Sequence, residues 1–440
     1  MSSPESSSAV SSPSSPSSRS SPPATPAPDA GAASDPPPSA TRPDGDVLVT
    51  GGLGFIGSHT ALELLKAGTS VVIVDNLSNS FPDVFGKIVT LAGRHFARVG
   101  GRCPRASFYD ADYGDAAAMR AIVESHGPPA AVPSPGRRSS ITAIIHLAAY
   151  KAVEESIRQP LRYYQNNVNG LVDLLSLLGE YDIKTFVFSS SAVVYGSRAE
   201  DGERGPLREE HVVHQRETYR DADGAERCAQ PGSTGIASPY GRTKLFGEAI
   251  LADLARADPS WHIVGLRYFN PIGCDASGLL GEDPRGAPSN LLPVVVRVLR
   301  GQQPRLAVCG RDWATPDGTA VRDFIHVTDL ARGHTAALAA VRAGRVRSAY
   351  RTFNLGTGAG SSVLEVVAAM EAASHRPVPM AAAGKRAGDV PSSVAAVERA
   401  RNELGWWARE PLADACRDVW NSLRLAGGAD PPRVGGTPSP

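Results

Sequence analysis

The sequence predicts an α/β protein in which a doubly wound parallel sheet is followed by a smaller α/β domain. Three observations carry this expectation. Short apolar runs (Val47–Val49, Val71–Val74, Ile144–Ala148, Phe186–Ser189 and Ile263–Phe269) alternate with helix-like segments. Near-continuous apolar runs are what strands buried on both faces require. A glycine cluster from Gly51 to Gly57 stands directly between the first run and a helical pattern. After about residue 270 the strand–helix rhythm becomes irregular, as an appended smaller domain would make it.

Residues 1–45 are almost entirely Ser, Pro, Ala and Asp. Too few large apolar side chains are present to offset the entropy of ordering a backbone, so a disordered tail is expected. At Asp46 the character changes to Val47-Leu48-Val49, the glycine cluster, and a helical pattern through Ala61, Leu62 and Leu65 that stops at Gly68. Glycine suits the end of a helix. Two stretches break the later rhythm: 126–140, rich in Pro, Gly and Ser, and 197–235, polar and without either period. Both read as surface loops inserted between core elements, with the second placed either to cover a site or to loop away from it. The expected division is thus 46–270 for the sheet domain, 271–425 for the second domain, and a Gly/Pro-rich disordered tail over 426–440.

Among the 440 residues, Lys+Arg and Asp+Glu both number 45, giving a formal net charge of +0. Such a balance offers no general attraction for nucleic acid or an anionic membrane surface, and neither is expected as a partner. No run approaches 18 apolar residues, and the N-terminus lacks the apolar core of a secretory signal. The first 45 residues hold only Arg19 and Arg42 as basic groups and include Glu5, Asp29 and Asp35, a poor fit to a transit peptide. A cytoplasmic location is expected. Five scattered cysteines with no C-x-x-C pair speak against a disulfide framework or zinc site. No His/Asp/Glu cluster has metal spacing, and His146, at the end of an apolar run, reads as a core residue, so no metal is expected.

Gly51, Gly54 and Gly57 have G-x-x-G-x-x-G spacing in a strand–turn–helix context. Positions without side chains let the turn close, let backbone N–H groups approach a pyrophosphate at the helix N-terminus, and let the helix pack on the sheet. Asp75 follows 18 residues after Gly57, at the end of the next apolar run. A carboxylate there accepts hydrogen bonds from ribose hydroxyls and repels the extra phosphate of NADP, which implies NAD as cofactor. Tyr240 and Lys244 stand at i and i+4, neighbours on one helix face. A nearby ammonium favours the phenolate of a tyrosine whose ordinary pKa is about 10, and so suits removal of a hydroxyl proton. Alone, the pair reads more readily as an exposed helix with an extended lysine. Ser191, closing the Ser189-Ser190-Ser191 run at a strand's carboxyl end, places a serine where doubly wound sheets bind ligands.

With these residues in chain order, the sequence resembles the extended short-chain dehydrogenase/reductase superfamily and, within it, the UDP-glucose 4-epimerase family. The resemblance runs from about Asp46 to Trp420. Its most specific stretches are Val49–Gly52 through His59-Thr60, Asp75–Ser80, Lys151–Val153, Asn166–Gly170, Ser189–Gly196, Leu266–Pro271, Gly281–Pro284 and Val321–Val327. It implies a Rossmann-type NAD-binding domain and a smaller UDP-sugar-binding domain. The positions that would hold NAD are Gly51, Gly54, Phe55, Ile56, Gly57, Asp75, Asn76, Leu77, Ser78, Asn79, Ser80, Asp112, Tyr113, Leu147, Ala148, Ala149, Tyr150, Lys151, Asn166, Tyr240, Lys244 and Phe269. Those that would bind the UDP-sugar are Ser191, Tyr240, Asn270, Asn290, Leu291, Leu306, Ala307, Val308, Arg322, Arg386, Asp389 and Ser393. Arg322 and Arg386 suit a diphosphate, because a guanidinium fork gives charge-assisted, bidentate bonds.

The implied reaction is reversible 4-epimerisation of UDP-glucose and UDP-galactose through a 4-keto sugar. Tyr240, Lys244 and Ser191 would be the catalytic residues, and NAD would stay bound throughout. A homodimer is also implied. Three positions depart from the family pattern: Ser393 replaces a bulky tyrosine and would leave room for a 2-N-acetyl group, Ser289 replaces an asparagine, and Cys309 replaces an aromatic residue. Alternative readings are a 4-epimerase of UDP-arabinose and UDP-xylose, and a catalytically idle NAD-sensing regulatory protein.

Overall fold

The structure, a computed structural model, describes residues 45–127, 139–199, 205–221, 223–286, 288, 290–386 and 389–427. Almost all of both expected tails, and the centre of the 126–140 loop, lie outside the described residues.

The apolar runs become strands. In chain order the first half consists of β1 (Asp46–Thr50), α1 (Phe55–Lys66), β2 (Val71–Asp75), α2 (Asp83–Val99), β3 (Ala106–Asp110), α3 (Ala116–Ser125) and β4 (Ile141–His146). It continues with α4 (Val153–Arg158), α5 (Pro160–Tyr164), α6 (Gly170–Glu180), β5 (Thr185–Ser191), β6 (Glu217–Arg220), β7 (Glu226–Ala229), α7 (Pro239–Ala257) and β8 (His262–Tyr268). The second half holds β9 (Asn270–Ile272), α8 (Leu291–Leu299), β10 (Leu306–Cys309), β11 (Val321–His326), α9 (Val327–Arg342) and β12 (Tyr350–Leu355). β13 (Gly360–Ser362), α10 (Val363–Ser374), β14 (Met380–Ala383), β15 (Ser392–Ser393) and α11 (Leu412–Gly427) complete it.

Seven parallel strands form the main sheet in the order β12-β8-β5-β4-β1-β2-β3. The alternating residues of β1 explain why the run is apolar throughout. Val47 and Val49 pack in one core with Leu62, Leu65 and Ile73, while Leu48 joins a second core with Val72, Leu174 and Phe186 on the other face. From β1 the chain proceeds to β2 and β3 on one side and then to β4, β5 and β8 on the other. Strand order therefore reverses between β1 and β4, and the crevice at their carboxyl ends is where doubly wound sheets bind ligands.

The segment expected as a second domain does not stay apart from this sheet. α9 packs on α1, and β12 pairs with β8 to add the edge strand. The remainder forms small sheets: β10 with β14, and β11 with β9, β13 and β15. Its own core includes Val295, Val308, Val366 and Trp420.

The 197–235 stretch is more than a surface loop. It carries the antiparallel pair β6–β7 and buries Leu207, Glu209, Val212 and Val213. Its polar sequence conceals this because the anchoring is largely ionic. Arg399, 9% exposed, faces Glu210 at 2.7 Å and Glu217 at 3.0 Å, and Arg351 reaches Glu217 at 2.6 Å. Burial by paired charge leaves no hydrophobic period to read.

Candidate active site

The glycine turn after β1 shows why each glycine is there. Gly51 has φ +68, and a Cβ on it would lie 2.8 Å from the Ala148 backbone nitrogen. A Cβ on Gly57 would sit 2.1 Å from the Gly51 carbonyl oxygen, so α1 can approach β1 only because that atom is missing. At Gly54 the protein is open: a Cβ would meet only the Gly51 oxygen, at 3.3 Å. Yet Gly54 lines the pocket at the sheet's switch point. Space kept there is space for a ligand at the N-terminus of α1, which fits a pyrophosphate.

Asp75 ends β2 with its carboxylate 8% exposed, accepting hydrogen bonds from the Leu53 N–H at 2.9 Å, the Leu77 N–H at 3.0 Å and the Ser80 hydroxyl at 2.7 Å. It thus joins the glycine turn to the loop that follows β2. Nineteen of the predicted cofactor positions line one pocket: Gly51, Gly54–Gly57, Asp75, Asn76, Ser78–Ser80, Tyr113, Leu147–Lys151, Asn166, Tyr240 and Lys244. Three do not. Leu77 packs against the core, Asp112 accepts hydrogen bonds from Asn76 Nδ2 and the Gly114 N–H, and Phe269 is buried with Tyr195, Leu207, Val212 and Ala395. The open cradle at Gly54, the donor-rich turn and the carboxylate together fit a dinucleotide such as NAD.

Tyr240 and Lys244 enter this pocket from α7, whose start is fixed by Ser238: its side chain caps the Gly241 N–H at 3.1 Å. Burial pushes the Tyr240 phenol up from its ordinary value, and a hydrogen bond with Ser191 offsets part of the rise. The lowering expected from Lys244 is therefore not what this structure displays. The reason is geometric: the Lys244 Nζ donates to the Ser189 carbonyl and lies 5.0 Å from the Phe188 ring centroid. Burial also pulls Lys244 down to about 7, against the opposing charge of Glu248. His146 is 2% exposed, hydrogen-bonded to Thr50 at 2.8 Å, and held down to about 3 by burial, consistent with a neutral core residue.

Four of the predicted substrate residues, Asn270, Arg322, Asp389 and Ser393, lie on β11 or against it. Arg322 lies opposite Ser393 in the β11–β15 ladder and faces Asp389 at 3.4 Å. Its pKa is lowered by burial, with the Arg386 charge acting in the same direction. Two guanidinium groups close enough for one charge to act on the other, with Asp389 paired to Arg322, make this corner electropositive. Asn270 Nδ2 donates to the Asp323 carbonyl at 3.1 Å, Leu291 opens α8, and Leu306, Ala307 and Val308 form most of β10. Cys309 Sγ accepts from Arg386 Nε at 3.2 Å. Asn290 Nδ2 lies 3.5 Å from Glu282, which lines the cofactor pocket and so connects the two groups of residues. Ser289 lies outside the described residues.

Sequence reasoning assigned no role to several groups the fold brings here. Glu282, Asp283 and Pro284 line the pocket from the second half of the chain, and Ser189 and Tyr268 from the first. Glu248, one turn beyond Lys244, is fully buried; it accepts from Arg267 at 2.9 and 2.7 Å and from Ser190, with His214 Nε2 2.9 Å away. Its i+4 spacing from Lys244 was the available signal. The described residues of 205–235 do not line the pocket; Leu207 instead pairs beside Ala395, next to the Ser393 strand.

A parallel sheet with a glycine turn at its switch point, and Tyr240 and Lys244 lining the same crevice with Ser191 hydrogen-bonded to the tyrosine, define a nucleotide-dependent enzyme of the doubly wound class. The chain belongs to the NAD dependent epimerase/dehydratase family, whose model matches residues 47–356. It is 42% identical over 375 residues to UDP-glucose 4-epimerase 2 of Arabidopsis thaliana, covering 85% of this chain and 94% of that one. Among solved structures, it is similar to a UDP-glucose-4-epimerase from Stenotrophomonas maltophila with bound NAD and formylated UDP-arabinopyranose. That match has a TM-score of 0.73 and 40% identity and covers 87% of this chain and 99% of that one. It is also similar to the UDP-glucose 4-epimerase from Bifidobacterium longum in complex with NAD+ and UDP, with a TM-score of 0.72, 38% identity, and 88% and 99% coverage.

Proposed function

We propose that this chain is an NAD-dependent 4-epimerase that interconverts UDP-glucose and UDP-galactose. The observation that carries it is one pocket in which the glycine turn and Asp75 stand across from Tyr240 and Lys244, with Ser191 hydrogen-bonded to the tyrosine. The named relatives catalyse or bind what this geometry suits. NAD, when bound, supplies a reversible acceptor for the hydrogen on C4 of the sugar. As the phenolate, which the positive ring of oxidised NAD would favour, Tyr240 would take the proton of the 4-hydroxyl and return it, and Ser191 would orient that hydroxyl. Lys244, donating to the Ser189 carbonyl, holds the strand end that carries Ser191. Arg322 and Arg386 hold the diphosphate while the sugar turns.

The smaller Ser393 side chain, opposite Arg322 in the ladder, favours acceptance of UDP-N-acetylglucosamine as well. A homodimer is supported by Val153, Ile157, Leu161 and Phe246, exposed apolar residues on α4, α5 and α7, helices that pack together. A second copy of this chain is the occupant proposed for that face, and sedimentation of Ile157→Glu/Leu161→Glu as a monomer tests it. A cytoplasmic location accords with five free cysteines, and cell fractionation tests that placement.

Proton NMR of the purified chain with UDP-galactose tests the main reading. The anomeric signal of UDP-glucose is expected to grow in until the two sugars reach equilibrium. No change, even after NAD is added, refutes it. UDP-N-acetylgalactosamine in the same tube tests the Ser393 reading.

A further inference from the structure

A 4-epimerisation has no net redox change only if the cofactor that takes the hydride remains to give it back. Retention therefore needs a structural cause, and one lies at the mouth of the pocket. The loop after β2 contributes Asn79 and Ser80 to the lining, and the distant segment Glu282–Pro284 contributes the facing side. Arg285 joins the two. Its backbone N–H donates to Asn79 Oδ1 at 3.1 Å, its Nε–H donates to the Ser80 carbonyl at 2.9 Å, and its guanidinium lies 4.3 Å from the centroid of the Phe81 ring. The Ser80 hydroxyl in turn donates to Asp75 at 2.7 Å. At the other end of the segment, Glu282 takes Lys151 Nζ at 3.3 Å.

We infer that Arg285 is a positioning residue that clasps the 281–285 segment to the cofactor loop and thereby holds NAD through turnover. The inference rests on the reading that this pocket takes NAD. Because both segments line the pocket, a dinucleotide bound in it would be flanked by the two segments that Arg285 joins, and its departure would be eased by their parting. Arginine suits the task because its planar head donates to a carbonyl while stacking on a ring, which an ammonium does less well.

The test loads the full chain and its variants with NAD, removes free cofactor on a desalting column, and follows the NAD that remains bound. Arg285→Ala and Phe81→Leu are expected to lose NAD about five to ten times faster than the unaltered chain. Arg285→Lys falls between them and the unaltered chain. Because the two side chains make one contact, the Arg285→Ala/Phe81→Leu double variant loses NAD no faster than Arg285→Ala alone. Unaltered loss rates in both single variants overturn the inference. So does a lower melting temperature of NAD-free protein with no change in NAD loss, the mark of a merely structural contact. An unaltered chain that takes up no NAD overturns the reading of the pocket, and the inference with it.

Discussion

Gly54 and Gly57 are three residues apart and carry no side chain for opposite reasons. At Gly57 a methyl group meets backbone on two sides, 2.1 Å from the Gly51 oxygen and 2.7 Å from the Gly52 Cα, neither of which can rotate away. Gly57→Ala is expected to cost about 3 kcal/mol in urea unfolding. At Gly54, with φ −69 and ψ 174, alanine is conformationally acceptable, and Gly54→Ala is expected to cost less than about 1 kcal/mol. Its methyl group intrudes on the pocket instead, so the purified variant should bind NAD more weakly, as titration with NADH fluorescence would measure. Tyr240→Phe separates an enzyme from a sensor: turnover should fall by about 10²- to 10⁴-fold while NAD stays bound. Turnover at the unaltered rate would exclude Tyr240 as the proton carrier.

The elements meet at a buried ion pair. Glu248 on α7 and Arg267 on β8 are both fully buried, and burial is tolerated because their opposite charges and hydrogen bonds hold the carboxyl well below the usual carboxylate range. Glu248 also accepts from Ser190, beside the Ser189 carbonyl that takes Lys244 Nζ. Helix α7 therefore fixes the end of β5 twice, one turn apart. Glu248→Gln leaves the guanidinium buried without its counter-charge and is expected to destabilise the fold by about 3 kcal/mol, measurable by chemical denaturation. Loss of turnover should accompany it, because Ser191 is carried on the same strand end.

For the whole molecule, the decisive pH effect comes from buried histidines far apart in the chain. His59 and His334 are held down to about 4 and His146 to about 3, chiefly by burial. Unfolded, each returns to about 6.5. As pH falls below that value the unfolded chain takes up protons that the native chain refuses, so stability is present above about 6.5 and is lost downward. Over pH 7 to pH 5 the three sites together lower the unfolding free energy by about 5 kcal/mol. Urea titrations at the two pH values check this. His146→Gln should lessen the slope, since the variant has one proton fewer to gain on unfolding.

Local pattern was enough to read the doubly wound sheet and much of the site. Strands buried on both faces leave continuous apolar runs, and a turn that must bring backbone to a phosphate leaves glycines at set intervals. Tyr240 and Lys244 were legible because one helix carries both, and Ser191 because it closes an apolar run at a strand's carboxyl end, whereas Arg322 and Ser393 took their meaning from resemblance. Other features had no local signature. Glu209, Glu217, Arg351 and Arg399 anchor the 197–235 insertion by pairing charges from distant segments. β12 reaches the main sheet from beyond the expected domain boundary, and Glu282–Pro284 cross to the cofactor pocket. Composition and spacing by themselves determined the class of fold, the glycine turn with its acid, and the helix bearing the tyrosine and lysine, because each depends on residues within a turn or a strand of one another. Only the tertiary structure decided the direction of the Tyr240 pKa, the docking of the insertion and the Arg285 clasp. Desolvation and pairing between remote charges depend on which segments fold together, and no stretch of sequence contains that information.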